Sequence, residues 1–99
     1  MDREPIRMEL YTKADCGLCR EMKAVIEGVR GDYPLALREF DITSDPSLMA
    51  RFAEEIPVLF LDGRKAFKFR TSERGLRRAL EAILLRRRML RAVGKRVAE

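Results

Sequence analysis

The sequence of 99 residues contains no histidine, tryptophan, asparagine or glutamine, and it has only two cysteines. Because a cysteine nucleophile of the protease kind works with a histidine base, the missing histidine excludes that class of enzyme. A structural zinc site needs four ligands, and two thiolates without histidine do not complete one, so we expect no metal site within a monomer. The length fits a single small domain, since a second compact core would require a longer chain.

Long apolar runs are also missing. The longest ones, at residues 56–61 and 82–85, are far shorter than the roughly 18 residues that a transmembrane helix needs. The first five residues carry charges of both signs, and no apolar run follows them. We therefore expect no secretory signal, no membrane partner and a cytoplasmic location.

The net charge of +5 is concentrated at the C-terminal end. Residues 86–99 hold six of the 21 basic residues and one of the 16 acidic residues, so the preceding part of the chain is balanced. Three interpretations of this tail stay open: a solvated cationic extension, which we favour, a helix for docking or self-association, and a contact with nucleic acid or an anionic membrane. Since the tail has no aromatic side chains to stack on bases, we do not expect nucleic acid as a partner.

The most informative motif is Cys16-Gly17-Leu18-Cys19, which places both cysteines three positions apart. A purely structural disulfide is a weak alternative, because so short a loop removes little entropy from the unfolded chain and cytosolic disulfides are seldom structural. With zinc and a cysteine–histidine pair disfavoured as well, this spacing indicates redox chemistry.

The residues around the motif predict a strand followed by a helix. Apolar and polar residues alternate over residues 6–11, and apolar residues recur at helical spacing over residues 16–29. Unpaired N–H groups and the helix dipole favour an anion at a helix start, so we expect the pKa of the Cys16 thiol to be lowered and Cys16 to act as the nucleophile. Cys19 lies one turn later on the same face and would attack the mixed disulfide that Cys16 forms.

The rest of the chain completes an α/β pattern. Strand, helix, strand implies a parallel pair with a right-handed crossover, and a two-residue turn between the last two strands implies an antiparallel pair. The five phenylalanines are expected to fill the core and the sheet. A strand is predicted at residues 35–42, followed by a helix at residues 46–54 with Asp45 as N-cap and Pro46 in the first turn. Two further strands are predicted at residues 58–61 and 65–69. A third helix follows them, capped by Thr71 or Ser72.

This order, βαβαββα with a four-stranded mixed sheet flanked by helices, resembles the thioredoxin fold. The segment Leu-Tyr-Thr-Lys-Ala-Asp-Cys-Gly-Leu-Cys at residues 10–19 and Ile-Pro-Val at residues 56–58 are most similar to the glutaredoxin-like proteins of that superfamily. The resemblance spans roughly residues 6–85. We therefore divide the chain into a thioredoxin-fold domain at residues 1–85 and a basic C-terminal helical extension at residues 86–99.

The resemblance implies a thiol–disulfide oxidoreductase that reduces protein or mixed disulfides, with Cys16 attacking and Cys19 resolving. It implies a cis Ile56–Pro57 bond beside the active-site disulfide and substrate contacts at Lys13, Ile56 and Pro57. Lys13 matches a glutathione-contacting position, and the Ile56 backbone would pair with an extended substrate segment. We expect a monomer without a tightly bound cofactor, reduced by glutathione or by a dithiol reductase.

Several positions depart from the family pattern. Gly17-Leu18 matches neither the Pro-Tyr of glutaredoxins nor the Gly-Pro of thioredoxins, Leu10 replaces the buried acid of thioredoxins, and residues 69–73 lack the Gly-Gly of glutathione-binding glutaredoxins.

Two alternatives from other classes stay open. One is an iron–sulfur cluster carrier that bridges two protomers, and the other is a non-catalytic module that docks partners through its basic tail.

Overall fold

The computed structural model describes residues 4–98, with side chains through residue 94. Within residues 4–98 the chain forms four strands, three α-helices and two short 3₁₀ turns. The predicted order βαβαββα is confirmed. The elements are β1 (Ile6–Thr12), α1 (Gly17–Val29), β2 (Leu35–Asp41), α2 (Pro46–Phe52), β3 (Val58–Leu61), β4 (Arg64–Lys68) and α3 (Glu73–Ala98).

The strands form one mixed sheet in the order β2-β1-β3-β4. β1 pairs in parallel with β2, with Ile6 opposite Leu35, and pairs antiparallel with β3, with Leu10 opposite Leu59. β3 and β4 are antiparallel and joined by a tight turn in which Gly63 has a φ of 83°. The mixed sheet predicted from the βαβ unit and the short turn is thereby confirmed.

The helices α1 and α3 cover one face of the sheet. Alternate residues of β1 point to this face because side chains alternate along a strand, and Ile6, Met8 and Leu10 are fully buried there. They form the main core with apolar residues from both helices and from β3: Met22, Ile26, Val29, Leu59, Leu61, Leu76 and Leu80. This core fixes α1, and with it the cysteines, on the sheet.

The short helix α2 covers the opposite face near the cysteines. Asp45 caps it by accepting a hydrogen bond of 2.8 Å from the backbone N–H of Ser47, and Pro46 occupies the first turn, as predicted. Hydrogen bonds from the Ser47 hydroxyl and backbone lower the pKa of the Asp45 carboxyl. At the other end of α2, Phe52 is buried against a second apolar cluster, which anchors the helix.

Several predicted boundaries and one predicted burial are wrong. β2 ends at Asp41 and not at residue 42, α2 ends at Phe52 and not at residue 54, and β4 begins at Arg64 and not at residue 65. β4 ends at Lys68, and Phe69 lies outside the strand with a φ of 68° and 39% of its surface exposed. Its backbone N–H donates a hydrogen bond of 2.8 Å to the carbonyl of Pro57. Since bulky residues rarely adopt a positive φ, this bond helps to hold a backbone conformation that the residue type does not favour.

The third helix begins where expected and continues far beyond the core. The Ser72 hydroxyl accepts a hydrogen bond of 2.9 Å from the backbone N–H of Gly75, so Ser72 is the cap. From Glu73 the helix runs without a break to Ala98, so the basic segment predicted as a helical extension continues α3 itself. No helix among the described residues is long and apolar enough to span a bilayer.

Arg87 ties α3 to the other end of the chain. Its guanidinium donates hydrogen bonds to the carbonyl of Glu4 at 2.6 Å and to the carboxylate of Asp62 at 3.0 Å. The carboxylate of Asp62 also accepts a hydrogen bond of 2.9 Å from the backbone N–H of Arg7. These contacts join α3, the start of β1 and the β3–β4 turn at the edge of the core.

Candidate functional site

Cys16 and Cys19 are joined as a disulfide at the start of α1, with their Cα atoms 5.2 Å apart. Cys16 is the N-cap residue, and its Sγ accepts a hydrogen bond of 3.1 Å from the backbone N–H of Cys19. Oxygen-bearing side chains usually occupy this position and satisfy the free N–H groups of the first turn. A sulfur takes that place in this chain, so the donors of the helix start face Cys16.

The two sulfurs differ in their access to solvent. Cys16 is half-buried, whereas Cys19 is 2% exposed. Cys19 packs in the second apolar cluster, whose buried members are Ile42, Phe52, Ile56 and Val58. A molecule that approaches the disulfide from solvent therefore meets Cys16 first.

Ile56 packs with Cys19 in the second apolar cluster, and Pro57 follows it in the segment between α2 and β3. The bond between them is cis, as the resemblance implied. Ile56 is 8% exposed and belongs to the same apolar cluster as Cys19, and Pro57 is buried. The structure thus brings three of the five predicted site residues, Cys16, Cys19 and Ile56, into one cluster, and Pro57 is the neighbour of Ile56 in the chain.

Lys13 is the predicted site residue that no side-chain contact fixes. It is exposed in the loop between β1 and α1, and no ion pair joins it to another of the described side chains. The loop turns at Asp15, which has a φ of 56°, a conformation that aspartate tolerates better than most residues. Lys13 is therefore placed near the start of α1 with its ammonium group in solvent.

An aromatic cluster that was not predicted lies next to the cysteines. Its centre is Tyr11, whose ring centroid lies 5.0 Å from that of Phe40, 4.5 Å from that of Phe52 and 5.6 Å from that of Phe60. Tyr11 and Phe40 are direct partners in the parallel register of β1 and β2. The sequence shows the alternation of residue types along β1. It does not show that the four rings are neighbours, because that follows from the order of the strands in the sheet.

Charged groups surround this aromatic cluster. The guanidinium of Arg51 lies 4.7 Å from the ring centroid of Phe52, within the range of a cation–π contact. Burial, and then the charge of Glu9, raise the pKa of the Tyr11 hydroxyl. Tyr11 therefore stays protonated at neutral pH and packs as a neutral ring against the cluster that holds Cys19.

A polar chain supports the end of β1, four residues before Cys16. Thr12 is 3% exposed, and its hydroxyl donates a hydrogen bond of 2.9 Å to the carboxylate of Glu39 on β2. Glu39 in turn pairs with Lys23 of α1 at 2.6 Å. These contacts connect β1, β2 and α1 around the loop that leads into the motif.

A pair of neighbouring cysteines has redox capacity, because it stores two electrons as two thiols and releases them on closing a disulfide. Among the described residues, no group of three or more histidine, cysteine, aspartate or glutamate side chains could hold a metal ion. The arrangement therefore gives the protein redox capacity through its cysteine pair.

Comparisons with known proteins agree with this geometry. Residues 7–81 match the family described as Glutaredoxin-like domain (DUF836). A glutaredoxin-like protein of Dictyostelium discoideum is 31% identical over 85 residues, which cover 80% of this chain and 79% of that protein.

Two solved structures share the fold. Protein XcR50 of X. campestris is 26% identical with a TM-score of 0.65, covering 76% of this chain and 96% of that one. A mutant thioredoxin of Halobacterium salinarum is 21% identical with a TM-score of 0.58, covering 82% of this chain and 76% of that one. The thioredoxin-like fold expected from the order of elements is thereby confirmed.

Proposed function

Because the chain belongs to the family of glutaredoxin-like domains, we propose that it is a thiol–disulfide oxidoreductase in which Cys16 attacks and Cys19 resolves. The observation that carries the proposal is the unequal exposure of the two sulfurs. Cys16 is accessible at the N-terminus of α1, and Cys19 is buried one turn further along the helix. The attacking sulfur must be accessible to the substrate disulfide, whereas the resolving sulfur only has to reach the attacking sulfur.

The reaction is a two-electron exchange in two steps. In the reduced protein, the Cys16 thiolate attacks one sulfur of a substrate disulfide, a new S–S bond forms, and the other substrate sulfur leaves as a thiolate that takes a proton from water. Cys19 then loses its proton and attacks the Cys16 sulfur. The protein disulfide closes, and the second substrate thiolate leaves. Glutathione or a dithiol protein would supply the two electrons that restore the dithiol.

The surroundings of Cys16 support the first step. The backbone N–H of Cys19 already donates to the Cys16 sulfur, and the first turn of α1 contains no acidic residue. A negative charge at this sulfur would therefore be stabilised by the helix N-terminus. The nearby carboxylate of Asp15 is exposed, so water and salt weaken its repulsion.

The substrate surface is proposed to include Lys13, Ile56 and Pro57. A protein segment that brings its disulfide to Cys16 would pass the buried Ile56–Pro57 step next to Cys19, where an extended backbone can pair with that of Ile56. The exposed ammonium group of Lys13 can bind a carboxylate, either of a protein substrate or of glutathione. Protein disulfides are thus the proposed substrates.

A mixed-disulfide trap tests the assignment of roles. We expect the reduced Cys19→Ser variant to accumulate a covalent adduct with oxidised insulin through Cys16, because the thiol that would release the partner is missing. The adduct is measured on non-reducing gels and located by mass spectrometry of the peptides. The Cys16→Ser/Cys19→Ser double variant is the matched control and should form none. A Cys19→Ser protein that captures neither insulin nor oxidised glutathione would contradict the proposal.

A further inference from the structure

The last part of α3 lies outside the region that this chain shares with its relatives. The family match ends at residue 81, yet α3 continues to Ala98. The structural match with XcR50 includes 96% of that protein but only 76% of this chain. The family fold is therefore complete without this part of the helix, and any surface that it creates is an addition.

That part of α3 creates an open groove along β4, the edge strand of the sheet. The groove encloses about 520 Å³ between β4 and α3. Its floor consists of small side chains, Ala66, Ala79 and Ala82, which leave room for large side chains of another molecule. We call the surface formed by Leu61, Ala66, Ala79, Ala82, Ile83 and Leu90, together with the exposed apolar side chains that continue it, the α3 groove.

Large apolar side chains extend the groove along the helix. Leu85, Met89 and Val93 are 52%, 59% and 55% exposed and lie four residues apart, so they share one face of α3. Leu90, which is 60% exposed, joins them to the groove. A contiguous exposed apolar patch of this kind marks an interaction surface rather than ordinary surface.

The edges of the α3 groove are cationic. Arg64 of β4 and Arg86 of α3 line it, and among the described residues neither forms an ion pair. The one acidic side chain in the lining, Asp62, is engaged by Arg87 at 3.0 Å. A ligand that fills the groove therefore gains from carrying acidic groups beside its apolar side chains.

This charge pattern decides between the possible occupants. Residues 82–98 contain six basic residues and no acidic residue. If a second copy of this helix occupied the groove, two such basic segments would face each other and their charges would repel. A flat bilayer surface does not fit a concave groove whose floor lies between a helix and a strand. An amphipathic helix with acidic edges matches both the shape and the charge.

We propose that the α3 groove binds an amphipathic helix of a partner protein, with apolar side chains on the floor and acidic residues beside Arg64 and Arg86. From residue 79 to residue 93 the groove is about 21 Å long, which fits a partner helix of about 15 residues. The groove adjoins the β3–β4 turn and the start of β1, whereas the cysteines follow the end of β1. A partner bound there leaves Cys16 accessible.

The test uses the full-length protein and a fluorescent 16-residue peptide with leucine on one helical face and glutamate elsewhere. We expect this peptide to bind, and peptides with lysine for glutamate or with the same residues scrambled not to bind. Met89→Glu should weaken binding at least about tenfold, because it places a charge in the apolar stripe. Met49→Glu, at another exposed methionine, on α2, is the control and should bind normally.

Thermal melts check that both variants are folded. Insulin reduction by Met89→Glu should equal that of the wild type, because the groove adjoins the start of β1 and the cysteines follow its end. Equal binding by Met89→Glu and Met49→Glu, or equal binding of the lysine peptide, would overturn the inference. A dimer in sedimentation that Met89→Glu dissolves would assign the groove to a second copy instead. Binding to phosphatidylglycerol vesicles without peptide binding would assign it to a membrane.

Discussion

Replacing Cys16 with serine is expected to lower the rate of disulfide reduction at least about a thousandfold. The reason is that a serine hydroxyl does not ionise at neutral pH and does not attack sulfur as a thiolate does. Cys19 cannot take over the role, because only 2% of its surface is exposed and it packs among apolar side chains. The rate is measured as single-turnover oxidation of the reduced protein by a peptide disulfide.

The Cys19→Ser variant is the matched control for this loss. It should keep a first step within about tenfold of the wild-type rate, because the Cys16 thiolate and its helix N-terminus are unchanged. Its second step should fail, so the partner stays bound. The account would be contradicted if Cys16→Ser retained substantial activity while Cys19→Ser lost the first step, since Cys19 would then be the nucleophile.

Shortening Phe52 to alanine is expected to destabilise the protein by about 3–5 kcal/mol, the usual cost of removing a fully buried aromatic ring. Phe52 is 1% exposed, lies 4.5 Å from the ring centroid of Tyr11 and packs in the cluster that holds Cys19. A cavity at this position would detach α2 from the sheet. A loss of this size is a large share of the stability of a small domain.

Met49→Ala is the control, because Met49 lies on the same helix and is 38% exposed. We expect it to cost less than about 1 kcal/mol. Both values come from urea unfolding of the oxidised proteins followed by circular dichroism. Similar losses for the two variants would mean that α2 is held by helix propensity and capping rather than by the buried ring.

Local patterns in the sequence predicted most of the fold. The alternation along β1 and the apolar spacing of α1 follow from burial on one face, so they can be read without knowing the tertiary structure. Asp45 and Pro46 marked the start of α2 because a cap and a first-turn proline act on the residues next to them. The position of Cys16 at the helix start followed from these same local rules.

Features that depend on distant parts of the chain were not predictable. The rings of Tyr11, Phe40, Phe52 and Phe60 come from four separate elements, and only the strand order brings them together. The hydrogen bond from Arg87 to the carbonyl of Glu4 spans nearly the whole chain, so no local pattern could indicate it. Phe69 is exposed at a position where the backbone has a positive φ and hydrogen bonds to Pro57, a contact between residues twelve positions apart.

The proposed reaction requires that Cys16 is an accessible, stabilised thiolate and that Cys19 is its buried partner. The most direct measurement is the rate of iodoacetamide alkylation of each cysteine in the reduced protein as a function of pH, read by mass spectrometry. We expect Cys16 to react first, with a midpoint below the pKa of about 8.5 of a free cysteine, and Cys19 to react slowly. Faster alkylation of Cys19, or a Cys16 that titrates like a free thiol, would contradict it.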